Sequence, residues 1–444
     1  MEHKYHKSIR GTSAAEIAAS VEEAIRSGAL GPGARLPTVR GLAQSLGLSP
    51  STVSAAYRTL RGRGLIVAGG RRGSAVSPRP PIAPGALPDA TTLPEGVRNL
   101  ADGNPDRTLL PDLAPALQSI RTDHALYGEP MVEPELAQLA LEGLRSDGIP
   151  ASAVAVVAGA LDGLERVLTA QLRPGDRVAV EDPAFVGVLD LLGALGLEAV
   201  PVAIDDSGLR PEALDAVLAR GVAALIVTPR AQNPTGAALN ETRKRQLRPI
   251  LRRHPDVLLF EDDHAGAVAG APVVSLVDAK RPCWAVVRSV AKSLGPDLRV
   301  ATLAADPGTL ARVEGRQLLG MRWVSQILQR TVIAQWKDRR VARQLQSAER
   351  TYTTRRNALI EALASHGIGA HGRSGLNVWI PVPEEGRLLS ALQRRGWALS
   401  PGARFRISSP PGVRACVASL DPKDARKLAA DLAALLSAKR VSTV

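Results

Sequence analysis

The stretch Arg288-Ser289-Val290-Ala291-Lys292-Ser293-Leu294-Gly295-Pro296-Asp297-Leu298-Arg299 decides how the larger part of this chain is read. The apolar run Trp284 to Val287 leads into a polar turn with one lysine, and Gly295-Pro296 bends the chain so that Arg299 returns towards Ser289. An amine desolvated beside other cations gives up its proton and becomes nucleophilic, so Lys292 suits covalent capture of an aldehyde. Arginine grips phosphate through paired charge-assisted bonds and serine adds a hydroxyl donor, so Arg299 and Ser289 suit a phosphate. A lysine beside a phosphate site points to pyridoxal phosphate. Two solvated surface charges would show the same spacing, so the surrounding segments must arbitrate.

Outward from this stretch, short Val/Ala/Ile/Leu runs alternate with longer helical ones: Val154 to Val157, Arg177 to Val180, Ala223 to Thr228, Val257 to Phe260 and Trp284 to Val287. That alternation predicts a mostly parallel sheet covered by helices on both faces, whose ligands sit at the carboxyl ends of the strands. Each predicted strand has chemistry at its exit. Gly159-Ala160-Leu161 opens a predicted helix running to Ala170, whose free N–H groups suit a phosphate. Phe185, one of three phenylalanines, offers a face for a flat ring, although core packing is the commoner use. Asn233 in Asn-Pro-Thr-Gly offers an amide to a phenolic oxygen, and the same run also reads as a plain turn. Glu261-Asp262-Asp263-His264 leaves a buried strand with three acids and an imidazole. A carboxylate there would keep a pyridine nitrogen protonated and make the ring an electron sink; a divalent-metal site is the competing reading.

Taken together, these segments resemble fold-type I pyridoxal-phosphate aminotransferases over roughly residues 97 to 440. The resemblance implies that Lys292 is the lysine that captures the cofactor aldehyde, Asp262 the partner of its pyridine nitrogen and Asn233 the partner of its ring hydroxyl. Whether Asp262 or Asp263 faces that nitrogen stays open. By the same resemblance Phe185 stacks on the ring and His264 stands near its hydroxyl. Ala160, Leu161, Ser289 and Arg299 form the phosphate cup. Arg406 in Phe405-Arg406-Ile407-Ser408 matches an arginine that grips a substrate carboxylate, and Tyr127 matches a tyrosine offered from a second subunit.

The chain of 444 residues has room for two or three domains, and its 45% hydrophobic but 3% aromatic composition predicts a core of Ala, Leu and Val. Of the formal charge of +13, residues 1–80 hold 12 Lys+Arg against 4 Asp+Glu, so most of the excess lies in the first fifth. A basic head predicts a polyanionic partner. Two cysteines, Cys283 and Cys416, exclude a disulfide framework and leave a reducing cytoplasm as the default location. The N-terminus lacks an apolar signal core and the longest apolar runs are broken by charges, so neither export nor a membrane span is expected.

Within that head, Ile17, Val21, Ala24 and Ile25 recur at helical spacing between Ser13 and Ser27. Thr38 caps a second predicted helix to Leu46, and Ser49 with Pro50 caps a third to about Gly62. The third displays Ser51, Thr52, Arg58 and Arg61 outwards, small at its start and basic at its end, as suits a helix reading a DNA groove. Leu65 to Ala68 and Ser74 to Ser77 read as a hairpin with a tip carrying Arg71 and Arg72. A three-helix protein-binding module is the bland alternative.

Leu30-x-Pro32-Gly33-x-x-Leu36-Pro37-Thr38-x-Arg40-x-Leu42-Ala43, followed by Ser49-x-x-Thr52-Val53-x-x-Ala56-Tyr57-x-x-Leu60-x-x-x-Gly64, resembles the winged helix of GntR regulators. This implies double-stranded DNA as partner and makes Arg40, Ser51, Thr52, Arg58, Arg71 and Arg72 the contact candidates. Six prolines in residues 77–95 read as a semi-rigid linker. The expected organisation is therefore a winged helix-turn-helix at 1–77, a linker at 78–96 and, at 97–444, an α/β fold-type I aminotransferase-like domain with a smaller C-terminal α+β subdomain. That order resembles the MocR regulators. The resemblance implies a head-to-tail homodimer whose large domain binds pyridoxal phosphate and senses it, an amine or an amino acid. A working aminotransferase that carries a DNA-binding module is the alternative.

Overall fold

A computed structural model describes residues 9–62, 64–68, 73–77 and 93–437. The chain divides into two compact units: Met1–Leu87 with Leu172–Val178 and Val186–Val200, and Pro88–Gln171 with Ala179–Phe185 and Pro201–Val444.

In the head, α1 (Ala14–Arg26), α2 (Val39–Leu46) and α3 (Pro50–Gly62) precede a two-stranded antiparallel wing of β1 (Ile66–Ala68) and β2 (Ser74–Val76). Local chemistry sets the helix ends. The Ser13 hydroxyl accepts from Glu16 N and the Thr38 hydroxyl from Gly41 N, each satisfying a donor that has no partner within the helix. Gly47 ends α2 at φ +67, a conformation that a side chain would oppose. Ile17, Val21, Leu42, Val53, Ala56, Tyr57 and Leu60 meet in one core, and Tyr57 Oη donates to Pro37 O at 2.9 Å, tying α3 to the entry of α2.

After the short strand β3 (Arg98–Asn99), the main sheet is built from β4 (Ala155–Val157), β5 (Arg177–Asp182), β6 (Glu198–Asp205), β7 (Gly208–Leu209), β8 (Ala224–Val227), β9 (Leu258–Asp263), β10 (Trp284–Ser289) and β11 (Ala301–Ala305). Its order is β4-β11-β10-β9-β8-β5-β6-β7. β8, β9 and β10 run parallel, whereas β11 lies antiparallel between β10 and β4. All six residues of β9 are buried, as expected for a strand covered on both faces. The strand at 301–305 is not announced by the sequence, because alanine, which fills three of its five positions, carries little strand signal.

A smaller antiparallel sheet joins β12 (Asn377–Pro381), β15 (Gly412–Cys416) and β14 (Ser400–Pro401), while β13 (Trp397–Ala398) pairs with β3. Leu359, Val378, Ile380, Leu392, Val413 and Leu428 bury the small sheet against the helices Arg339–Ser365, Gly386–Arg394 and Pro422–Ser437. Among the described residues no helix is long and apolar enough to cross a membrane.

Candidate functional site

The parallel pairing of β9 with β10 puts Asp262 opposite Val287 and Asp263 opposite Arg288, so the acidic strand exit lies beside the start of the lysine turn. Alternation along β9 then sends its acids to different faces. Asp263 is held by Arg230 in a two-pronged contact of 2.9 and 2.8 Å; burial alone would raise its carboxyl, but these bonds outweigh burial and hold it below the usual range. Glu261 accepts from Ser275 Oγ at 2.7 Å and Leu276 N at 2.6 Å. Asp262 is different. Its Oδ1 is buried with no hydrogen-bond partner, and burial, followed by the charge of Asp263, pushes its carboxyl up to about 7. Of the two aspartates, Asp263 is engaged by Arg230 and Asp262 keeps one carboxylate oxygen without a partner. Among the described residues no three His, Cys, Asp or Glu side chains converge as a metal site.

Lys292 leaves the turn after β10 and donates from Nζ to Gly103 O at 2.9 Å. Burial, reinforced by the Arg414 guanidinium, holds its amine below the usual lysine range despite opposition from Cys416 and Asp102. His264 is pushed down to about 4 by burial and then by Lys292, so its imidazole is neutral at physiological pH. A lowered lysine pKa makes the deprotonated amine, the form that attacks a carbonyl carbon, easier to reach, and a neutral imidazole stands beside it.

At the far side of the same turn, Arg299 adopts φ +48 and donates from Nη2 to Ala158 O, just ahead of the helix Ala160–Gln171. Gly159 makes this approach possible: a Cβ there would lie 2.5 Å from Arg299 Nη2. The structure therefore brings Arg299 to the helix start at Ala160 and Leu161, whose N–H groups have no acceptor within the helix. Ser289, buried at the end of β10, accepts from Ala291 N at 3.2 Å. Phe185, partly buried, stands directly ahead of the helix Val186–Ala194.

Asn233 Oδ1 accepts from Arg414 Nη1 at 3.1 Å. Arg414 also donates to Ala101 O and stands next to Gly103, the residue whose carbonyl holds Lys292. The expectation for Arg406 is corrected here. Its guanidinium is engaged by Glu385 at 2.9 Å and donates to Ser409 O at 2.8 Å, so the arginine beside Lys292 is Arg414. The overlooked signal was a charged residue inside the apolar strand Gly412–Cys416. Tyr127 is 78% exposed, flanked by Trp323 and with Arg322 over its ring.

On the winged helix, Arg40, Ser51 and Arg58 are exposed and Thr52 is half-buried. The Ser49 hydroxyl lies 2.7 Å from that of Ser51 and 2.8 Å from that of Thr52, gathering three hydroxyls at the start of α3. Arg71 and Arg72 lie outside the described residues.

Comparison with known families bears on both sites. Residues 95–432 match the family described as aminotransferase class I and II, and residues 13–76 match that of bacterial regulatory proteins, gntR family. The chain belongs to the MocR group of GntR regulators. Among MocR relatives it is 37% identical over 429 residues to the vitamin B6 salvage pathway transcriptional repressor PtsJ of Salmonella typhimurium, covering 96% of this chain and 98% of that protein. It is 31% identical to the HTH-type transcriptional regulator TauR of Rhodobacter capsulatus, covering 87% and 88% of the two chains. The fold of the larger MocR domain matches the multiple substrate aminotransferase of Thermococcus profundus at a TM-score of 0.71 and 21% identity, covering 79% of this chain and 93% of that one. The residues present fit the cofactor of this fold, pyridoxal phosphate: a buried carboxylate oxygen without a partner, an amine held below the usual lysine range and an arginine let in by a glycine stand around one turn.

Proposed function

We propose that this chain is a transcriptional regulator whose winged helix (1–77) binds double-stranded DNA and whose larger domain (97–444), beyond the 78–96 linker, senses pyridoxal phosphate together with an amine or amino acid. The observation that carries the reading is the unpaired Oδ1 of Asp262, buried one strand away from the lysine turn. A buried acceptor without a donor costs about 1–3 kcal/mol, and a protonated ring nitrogen is the donor that would satisfy it. Bound there, the cofactor supplies an aldehyde for covalent capture and an electron-withdrawing ring.

The chain's own residues do the rest. Lys292 offers the nucleophilic amine, Asp262 holds the proton at the ring nitrogen, and Asn233 with His264 faces the ring hydroxyl. Phe185 covers the ring. Ser289, Arg299 and the amides of Ala160 and Leu161 hold the phosphate, and Arg414 rather than Arg406 receives the carboxylate of an amino-acid effector. Exposed Leu126, Tyr127, Leu319 and Met321 surround the 322–323 turn, and a second copy arranged head-to-tail would cover them. A repressor of vitamin B6 salvage among the relatives supports the cofactor itself as the signal, acting in the cytoplasm.

The test is DNA binding to the chain's own upstream region, read by fluorescence anisotropy with and without pyridoxal phosphate. Wild type should change affinity on adding the aldehyde and Lys292→Ala should not. Equal responses in both would sink the proposal. The Lys292 amine, held below the usual lysine range by burial, also favours a second reading, a working aminotransferase. Repeated turnover of amines with 2-oxo acids at an ordinary enzymatic rate would establish that one instead.

A further inference from the structure

We propose that Asp182 is a positioning residue, whose carboxylate fastens the Ile407–Ser409 turn and thereby keeps Phe405 against Arg414. This rests on the reading that Arg414 receives the effector carboxylate.

Asp182 ends β5 and is 4% exposed. Its carboxylate takes five hydrogen bonds from three consecutive residues. Oδ1 accepts from Ile407 N and Ser409 Oγ, both at 2.9 Å, and Oδ2 accepts from Ser408 N, Ser408 Oγ and Ser409 N, all at 2.8 Å. Bonds to an ionised acceptor are roughly twice as strong as neutral ones, and two successive backbone amides on one oxygen fix the turn's dihedrals. Two residues further along the same segment, Ala184 N donates to Phe405 O at 2.8 Å. The other flank is fastened by Glu385, which accepts from Ala403 N at 2.7 Å, Gly412 N at 3.3 Å and the Arg406 guanidinium. Segment 403–412 is thus held at its ends by one carboxylate and at its middle by another.

What this fixes is Phe405. Its side chain is buried, with the Trp379 ring edge-on at 6.5 Å and Arg414 Cζ 5.0 Å from its ring centroid. The ring face attracts the guanidinium and limits its swing, leaving Nη1 on Asn233. Asp182 itself touches neither Arg414 nor Lys292 through these bonds; it acts through the turn. The same role explains why Arg406 is turned away from the site: Glu385 uses it to hold the loop.

The experiment compares two small alkoxyamines, aminooxyacetate and methoxyamine, by the rate at which each displaces the cofactor from Lys292 in the loaded protein. Both react with the captured aldehyde, but only the first carries a carboxylate. Wild type should favour aminooxyacetate, Arg414→Gln should bring the ratio of rates to about one, and Asp182→Asn should lower it about tenfold while leaving the methoxyamine rate alone. In cofactor-free Asp182→Asn, the near-ultraviolet circular dichroism of the Trp379–Phe405 pair should weaken. If Arg414→Gln loses the preference and Asp182→Asn keeps it, the positioning role is overturned. If Arg414→Gln keeps it, the reading of Arg414 fails, and the role given to Asp182 goes with it. Should Asp182→Asn not fold, Ser408→Ala with Ser409→Ala removes only the two hydroxyl donors and should give an intermediate loss; an unchanged ratio there overturns the proposal as well.

Discussion

Replacing Asp262 by Asn should stabilise the empty protein and weaken its hold on the cofactor. In the folded chain the carboxyl rises from an ordinary 3.8 to about 7, because burial and the Asp263 charge both oppose ionisation. For a group whose folded value is raised, the favourable contribution is complete below the unfolded value and is lost as pH climbs through the folded one. The cost of Asp262 therefore grows between about pH 4 and 7 and is flat above. At about 1.4 kcal/mol for each of roughly three logarithmic steps, it reaches on the order of 4 kcal/mol at pH 8. Asn carries no charge and escapes this cost, so cofactor-free Asp262→Asn should melt several degrees above wild type at pH 8 and close to it at pH 4. With cofactor the sign reverses. Losing a charge-assisted bond to the ring nitrogen removes about 1.5–3 kcal/mol, or roughly 10- to 150-fold in affinity. Thermal melts of the cofactor-free proteins at the two pH values, with absorbance titrations of pyridoxal phosphate, measure both halves. Equal melting at pH 8, or an affinity within twofold of wild type, would refute the assignment of Asp262.

Three further outcomes are expected. Gly159→Ala places a Cβ 2.5 Å from Arg299 Nη2 and forces a side chain on φ +106, so affinity for pyridoxal phosphate should fall about tenfold while that for unphosphorylated pyridoxal, measured by the same titration, stays unchanged. Arg58→Ala removes an exposed cation from α3, so the logarithmic dependence of DNA affinity on salt should flatten by about 0.9, read from anisotropy at several salt concentrations. Leu319 is 90% exposed, and Leu319→Asp should shift sedimentation towards monomer while leaving the cofactor's absorbance intact.

The helices of the head were legible because their ends are set locally: Ser13, Thr38 and Gly47 each act within four residues of the boundary they define. The strand exits were legible for a related reason, since a polar cluster after an apolar run marks the carboxyl end of a buried strand. Long-range choices were not. Arg406 and Arg414 are both arginines near the end of the chain, and only the positions of Glu385, Ala101 and Asn233, brought in from distant segments, decide which one faces the lysine. Asp262 and Asp263 differ in the same way, because the partner that occupies Asp263 is Arg230, 33 residues earlier. Spacing along the chain shows that an acid stands at the strand's end; it says nothing of which acid already has company.

The antiparallel return of β11 beside β10 hangs Lys292 and Arg299 from one short connection. A ligand seated there is tethered at its carbonyl and clasped at its phosphate by a single stiff handle of the backbone. Trimming the tether leaves the clasp in place, so mutants of the lysine ought still to fill their pocket. Occupancy and covalency can thus be separated genetically, and a filled but untethered pocket should leave the promoter deaf.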